Sequence, residues 1–489
     1  MNKTKLHSVY DEWVEESSEL ASVSGMYYIT GAGMYSPNDM TSAAACFAAD
    51  MYKNTAYGLV ANDGETMRVG VGGVLGGSDW ICWDNFKLTY MGYDAATISP
   101  ILATAVQELD LTQPMGKDVK AEAEQAKNDA IAQMGGTDGE AMFDALKAIF
   151  AVKDKVAASI ELFADLNKLI ESQLYPAITN CTTAAAGDGA ALWETLSQNI
   201  PAWQYNDSDV PALKKQIQNV MQLMGMPDNA ENASDAAPVD MSGAILTNEF
   251  VDFEGANSIA WWEGTEGYNF GNDETQRSAE ALEFFNKTFD IYQDIEGLPN
   301  GTYEVQVSAF GRFGGIDEDY AQWQAGGQNE SFLYAVPGIE GETKASAPLK
   351  FIFEGAQDYS LADGEATKEA DGTTYYFPNN MISFASYKEF YVNKITVKVT
   401  DGKLRVGITK PANSENGWVI MDSWKLTFYG ANSSKEQTGD GIENVTDAPV
   451  VMTELFTIDG RKAGNAQKGF FIQKQTLNNG QVIVKKIQK

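Results

Sequence analysis

Residues 63–92 read DGETMRVGVGGVLGGSDWICWDNFKLTYMG, and residues 401–430 read DGKLRVGITKPANSENGWVIMDSWKLTFYG. Similarity of this length within one chain means two copies of one folding unit, and it restricts the chain to architectures that use that unit twice. The match continues upstream. PNDM at Pro37 answers PNNM at Pro378, Tyr52 and Asn54 answer Tyr391 and Asn393, and KLHSVY from Lys5 falls opposite PLKFIF from Pro348. The offset drifts only slightly, as small loop changes within one fold would make it.

The unit is β in character. ITVKV and LRVGI alternate on both sides of Asp401–Gly402, a hairpin signal. FDIYQDIEGLPNGTYEVQVSAF holds two strands joined at Pro299, Asn300 and Gly301, and Thr247 to Glu254 reads as an opening strand. Together these predict a β-sandwich over residues 244–431. Strict alternation would put Trp418, Ile420, Asp422, Trp424, Leu426 and Phe428 on one face. An aspartate in that row, repeated as Asp84, is costly to bury unless it is paired, hydrogen-bonded or bound to a metal. The first copy, residues 1–96, corresponds only to the C-terminal half of the sandwich. Half a sandwich exposes a sheet face and open edges. The expectation is therefore an N-terminally truncated chain whose signal peptide is lost with the absent part; the alternative is a genuine start at Met1 and a half-domain that pairs with something else.

Residues 97–226 change character. KDVKAEAEQAKNDAIAQM and GEAMFDALKAIFAVKDKVAASIELFADLNKLIESQL space apolar residues by three and four, and Pro211 suits the first turn of a further helix, which predicts an α-helical bundle. Residues 227–243 and 432–449 are polar and rich in small residues, and read as linkers. A short β segment over 450–489 completes a multidomain, mostly β chain.

Composition narrows the chemistry. Thirty-five Lys and Arg against 68 Asp and Glu give a formal charge of -33, which repels nucleic acid and anionic lipid surfaces and suits neutral ligands or divalent cations. The single histidine, His7, leaves no Ser-His-Asp triad or His-rich metal site. Cys46, Cys82 and Cys181 show no zinc-ligand spacing. No apolar run reaches the roughly 18 residues of a membrane span, and MNKTKLHSVYDEWV has no signal-peptide core. GRFGG after a strand lacks the Lys and Ser/Thr of a phosphate loop.

Three features, DFE at the opening strand, the NGTYEV hairpin and the closing W-x-x-x-D-x-[FW]-K-L-T-[YF], resemble the galactose-binding-like jelly rolls of secreted Bacteroidota proteins, which are related to carbohydrate-binding modules. The C-terminal ELFTIDGRKAGNAQKGFFIQKQTLNNGQVIVKKIQK is similar to the type IX secretion sorting domain of the same bacteria. The match rests on DGR at Asp459–Arg461, KGFFIQK at Lys468–Lys474 and VIVKKIQK at the end. The resemblance implies export by the type IX machinery to the medium or the outer cell surface, although the Sec signal of such cargo is not in the sequence.

It also implies a glycan partner, held by aromatic faces with amide, acid or arginine side chains on the hydroxyls. The candidates are Trp261 and Trp262 in SIAWWEGTEGYNFG, Tyr268, Arg312, Phe313, Tyr320 and Trp323; neighbours in an extended chain point opposite ways, so one of Trp261 and Trp262 would cap the core. In related modules an acid of the last strand helps hold a structural calcium ion, a role that falls here to Asp422 with Asp252 or Glu254; the rival is a β-bulge that turns Asp422 onto backbone N–H groups. No catalytic scaffold is recognisable. The expected function is thus non-catalytic glycan binding at the surface, against two alternatives: the accessory end of a larger carbohydrate-active enzyme, or a structural stalk.

Overall fold

The computed structural model describes residues 4–60, 64–73, 76, 79–339, 344–361, 363–439, 450–457, 462, 470–477 and 482–488. The chain divides into two compact units, Met1–Asn167 with Ser197–Val210, and Lys168–Leu196 with Pro211–Lys489.

The first unit opens with a hairpin of β1 (Met26–Ile29) and β2 (Met34–Pro37), followed by helix α1 (Met40–Ala48). Helices α2 (Ala95–Glu108), α3 (Lys117–Gln133) and α4 (Gly139–Leu169) come next. Asp94 starts α2 by accepting from the amides of Ala96 and Thr97, which the helix itself leaves unpaired. Ile98, Leu102 and Val106 of α2 pack with Ala123, Ala126 and Ala130 of α3 and with Leu146, Ile149 and Val152 of α4.

Helices α5 (Tyr175–Asn180), α6 (Ala186–Asn199) and α7 (Val210–Met224) follow, so the helical residues expected as one bundle are shared between the two units. The second unit continues through β3 (Val239–Asp240), α8 (Glu274–Arg277), β4 (Leu282–Phe285), β5 (Phe289–Glu296), β6 (Gly301–Arg312), α9 (Ile316–Gln324), β7 (Phe332–Pro337) and β8 (Ala345–Pro348). A hairpin of β9 (Glu365–Ala370) and β10 (Thr373–Pro378), helix α10 (Met381–Tyr387), β11 (Val392–Val399), β12 (Lys403–Lys410) and β13 (Trp418–Phe428) complete it. One antiparallel sheet runs β11-β6-β13-β3 with β4 also on β13, and another runs β5-β12-β7-β8. Val305 and Val307 of the first sheet and Ile291, Val406 and Ile408 of the second share one apolar core, so the two sheets form a sandwich.

Strand β13 departs from simple alternation. Its register on β6 shifts between Asp422 and Lys425, and Ser423 has φ +54°, so one residue is bulged out and the side-chain phase reverses. Trp424, Leu426 and Phe428 face the sandwich core, while Trp418 and Ile420 join a second cluster with Phe310, Phe377 and Phe384. The six residues expected on one face are therefore split between two.

The stretch expected as a linker over 227–243 is part of the sandwich. β3 pairs with β13, the amide of Met241 donates to the carbonyl of Leu426 at 2.7 Å, and Met226, Ala230 and Met241 lie in the core. The described part of the 432–449 linker also pairs: the amide of Thr438 donates to the carbonyl of Thr396 at 2.8 Å. Polar composition misled the reading in both places because these segments satisfy sheet edges through backbone groups and small side chains.

The repeat holds contact by contact over residues 5–54. Ser42 Oγ donates to the carbonyl of Gly25 at 3.0 Å, as Ser383 Oγ does to Gly364 at 3.0 Å. Asp39 caps α1 and Asn380 caps α10 by accepting from those serines' amides at 2.8 and 2.9 Å. Tyr52 donates to the carbonyl of Val9 at 3.0 Å where Tyr391 donates to Ile352 at 2.5 Å. Asn54 accepts from the amide of His7, as Asn393 does from Lys350.

Beyond that the first copy differs from the half-sandwich expected over 1–96: no described residue between 64 and 92 is in a strand. A strand persists only where neighbours take up its backbone groups and apolar faces. β13 has β6, β4 and β3 for this, whereas no strand pairs with the described residues between 64 and 92.

At the C-terminus β14 (Val450–Thr457), β15 (Phe470–Leu477) and β16 (Val482–Gln488) form an antiparallel sheet in the order β14-β15-β16. The DGR turn and Lys468–Gly469 of KGFFIQK lie outside the described residues. Among the described residues no helix is long and apolar enough to cross a membrane.

Candidate ligand site at one end of the sandwich

Where β6 ends and β13 begins, Arg312 and Trp418 are register partners, and the guanidinium carbon lies 5.4 Å from the centre of the indole ring. The arginine donates through Nε to the carbonyl of Gly314 at 3.2 Å, through Nη2 to that of Asn416 at 3.1 Å, and through Nη1 to Asn379 Oδ1 at 3.5 Å. Trp418 Nε1 donates to Glu283 Oε2 at 2.7 Å, and Asn269 Nδ2 donates to Glu283 Oε1 at 3.0 Å. Strand β4 aims Glu283 here because Asn269 exchanges both backbone hydrogen bonds with it, at 2.9 and 3.0 Å.

Burial raises the Glu283 carboxyl above its ordinary range, although the Trp418 and Asn269 hydrogen bonds and the Arg312 charge oppose it. Burial likewise lowers the Arg312 guanidinium, against the charges of Asp319 and Glu283. The arginine has five N–H groups, and three are engaged by the protein. Each Glu283 oxygen accepts one hydrogen bond and can accept another. Asn272 and Asn379 are exposed beside them, with Asn269 Nδ2 3.4 Å from Asn272 Oδ1. The end of the sandwich therefore offers fixed donors and acceptors that suit a hydroxyl-rich ligand.

Phe313 and α9 adjoin this end. The amide of Phe313 donates to Asp319 Oδ1 at 2.6 Å, while Asp319 Oδ2 is buried without a partner. Burial raises the Asp319 carboxyl to about 7. Tyr320 and Trp323 are half-buried on α9. The tyrosine hydroxyl donates to Asp371 Oδ2 at 3.0 Å, and the tryptophan stacks on Phe353 with ring centres 5.7 Å apart. Tyr268 is exposed in the loop that carries Asn269, with its ring edge-on to Phe270.

The expected tryptophan pair is divided. Trp262 is a core residue, its ring 4.9 Å from that of Trp424 and 5.5 Å from that of Phe250, so it is removed from the ligand candidates. Trp261 is half-buried, takes φ +74° and has a buried Nε1 with no partner. The structure thus brings Arg312 together with Glu283, Trp418, Asn269 and Asn379, none of which the sequence reading offered as a ligand residue. Glu283 stands in LEFF as Asp422 stands in VIMDSW, an acid within an apolar strand, and that signal was available to find it.

The three carboxylates assigned to calcium are not gathered. Asp422 Oδ2 accepts from Lys388 Nζ at 2.8 Å and Oδ1 from the amide of Ser423 at 2.6 Å. Asp252 Oδ1 accepts from the amides of Glu254 and Ala256, both at 2.9 Å, which closes its own turn, and Glu254 is exposed. Among the described residues no group of three His, Cys, Asp or Glu side chains is placed to hold a metal ion, and Asp422 and Asp252 instead take up the protein partners just described.

No protein-family model matches the chain, and no curated protein matches it. Among solved structures, the chain is similar to a family 61 carbohydrate-binding module in complex with β-1,4-galactotriose, at 13% identity and TM-score 0.17, over 33% of this chain and 92% of that one. It is also similar to a family GH115 4-O-methyl-α-glucuronidase with specificity for decorated arabinogalactans, at 10% identity and TM-score 0.18, over 65% of this chain and 34% of that one.

Proposed function

We propose that the chain is a non-catalytic exported protein whose complete sandwich, a jelly roll in this reading, binds a neutral glycan at the Arg312 end. The observation that carries this is the half-buried Glu283 and Arg312, both held by the protein with hydrogen-bonding capacity to spare, beside the exposed amides of Asn272 and Asn379. Sugars are recognised by such mixtures of amide, acid and guanidinium groups on rigid elements. The net charge of -33 favours a neutral ligand over an anionic one. Asp319, the other carboxylate whose charge Arg312 feels, is fully enclosed and cannot serve as the second exposed acid of a glycosidase pair. The likeness of the tail to type IX sorting domains supports export to the surface or medium.

The test is a glycan array probed with the full chain, followed by titration calorimetry on any hit. Asn272→Ala and Asn379→Ala should each weaken binding by about fivefold, the worth of one hydrogen bond, and Arg312→Met should abolish it. An array blank for every neutral oligosaccharide, or affinities that ignore all three substitutions, would sink this reading.

A further inference from the structure

Strand β4 ends on two phenylalanines whose surroundings differ. Phe284 stacks on Phe289 in the sandwich core with ring centres 3.9 Å apart, whereas Phe285 is 50% exposed. Successive strand residues face opposite ways, so Phe285 shares its face with Glu283. Directly opposed residues of antiparallel strands also share a face, and Trp418 is opposed by Phe285 on β4 and by Arg312 on β6. Phe285, Trp418 and Arg312 therefore form one row across three strands. Glu283 lies in the next row and accepts from the indole of Trp418. Two strand spacings separate Phe285 from Arg312 by about 10 Å. Trp418 between them is 4% exposed, so the open ring of the row is that of Phe285. A lone exposed phenylalanine is ordinary; this one is in register with the donors and acceptors of the candidate site.

One loop, residues 413–417, fixes both ends of this row. Next to Phe285, the amide of Asn286 donates to the carbonyl of Gly417 at 2.7 Å, and Asn286 Oδ1 accepts from Asn413 Nδ2 at 2.9 Å and from the amide of Asn416 at 3.2 Å. Next to Arg312, the amide of Gly314 donates to Ser414 Oγ at 2.9 Å, while the carbonyl of Asn416 holds the guanidinium. The loop is itself anchored by Lys410, which is 1% exposed: its Nζ donates to Asn413 Oδ1 at 2.6 Å and lies 3.0 Å from Glu330 Oε1, and Glu330 accepts from the amide of Ser414. Ring and guanidinium are thus preorganised at a set separation, which spares a ligand the entropy of ordering them. On the glycan reading of this end, which this assignment presupposes, we infer that Phe285 is the stacking platform of the site and that its ligand is a pyranose with one unsubstituted C–H face. The C–H groups of that face carry the partial positive charge that the negative face of a phenyl ring attracts, and the hydroxyls at the ring edge meet Glu283 and Arg312. A phenyl ring has no polar tip, so covering it leaves no group unpaired. A polyol without a ring face offers the same hydroxyls and nothing to stack.

The experiment is saturation-transfer NMR on the full chain with the methyl pyranosides of glucose, galactose, mannose and xylose, irradiating the aromatic protons of the protein. In the parent, saturation should reach the C–H protons of one ring face of at least one glycoside. Phe285→Ala should remove that transfer and weaken binding about tenfold, with the melting temperature unchanged because the ring is half exposed. Phe285→Trp should keep the transfer, which separates loss of the platform from loss of the fold. Transfer that survives Phe285→Ala but disappears in Arg312→Met would overturn the platform and leave the glycan reading standing, and loss of transfer in Phe285→Trp would do the same. A parent that shows no transfer also overturns the platform; if the glycan array is blank as well, the glycan reading falls with it.

Discussion

At the scale of single residues, acids in apolar surroundings carry most of the information. Asp422 was legible as an anomaly because it interrupts an otherwise apolar strand; its partner Lys388 was not, because 34 residues separate them and only the fold sets helix α10 against β13. Asp319 was invisible for the opposite reason, since IDEDYAQWQ reads as an acidic, solvated first turn, yet the fold encloses this one carboxyl completely. Its carboxyl is raised from 3.8 to about 7 by burial, so the folded state keeps a proton that the unfolded state has released. That stabilising difference is complete below about pH 4 and is lost as pH rises towards 7. Between pH 5 and 8 the group should cost roughly 2–3 kcal/mol of stability. Denaturant titrations at the two pH values should show this loss in the parent and not in Asp319→Asn. Equal losses in parent and variant would refute the assignment.

At the scale of elements, helices were read well and edges poorly. The predicted helix at KDVKAEAEQAKNDAIAQM appears as α3, Lys117–Gln133, and Pro211 lies in the first turn of α7, because three- and four-residue spacing and Pro placement are local signals. The segment after α7 was read as a linker because its role depends on close backbone approach, which leaves no periodicity in sequence. A Cβ on Gly225 would lie 1.9 Å from the carbonyl oxygen of Gly243, so only glycine lets the end of α7 meet the turn that leads from β3. Gly225→Ala should therefore cost about 1–3 kcal/mol through forced displacement, read as a lower melting temperature of the full chain. A true linker would tolerate the change, and an unchanged melting temperature would return residues 227–243 to that role. The candidate ligand site suffered from the same blindness: Arg312 was named, but Glu283, Asn269 and Asn379 converge on it from three separate elements.

At the scale of the whole molecule, the repeat was the most legible feature, and it also shows where local sequence stops deciding structure. The two closing segments share WxxxDx[FW]KLT[YF], yet one is a fully paired central strand and the other is not a strand. Local preference is the same in both, so the difference lies in tertiary partners. Limited chymotrypsin digestion separates the two states. Cleavage requires several residues to enter the protease in extended form, which bare chain permits and a central strand does not. The first cuts should fall at Trp80, Trp83, Phe86 or Tyr90, and the same aromatic pattern at Trp418, Trp424 and Phe428 should survive until the sandwich unfolds. Mass spectra showing early cleavage at both copies in equal measure would mean that pairing does not distinguish them.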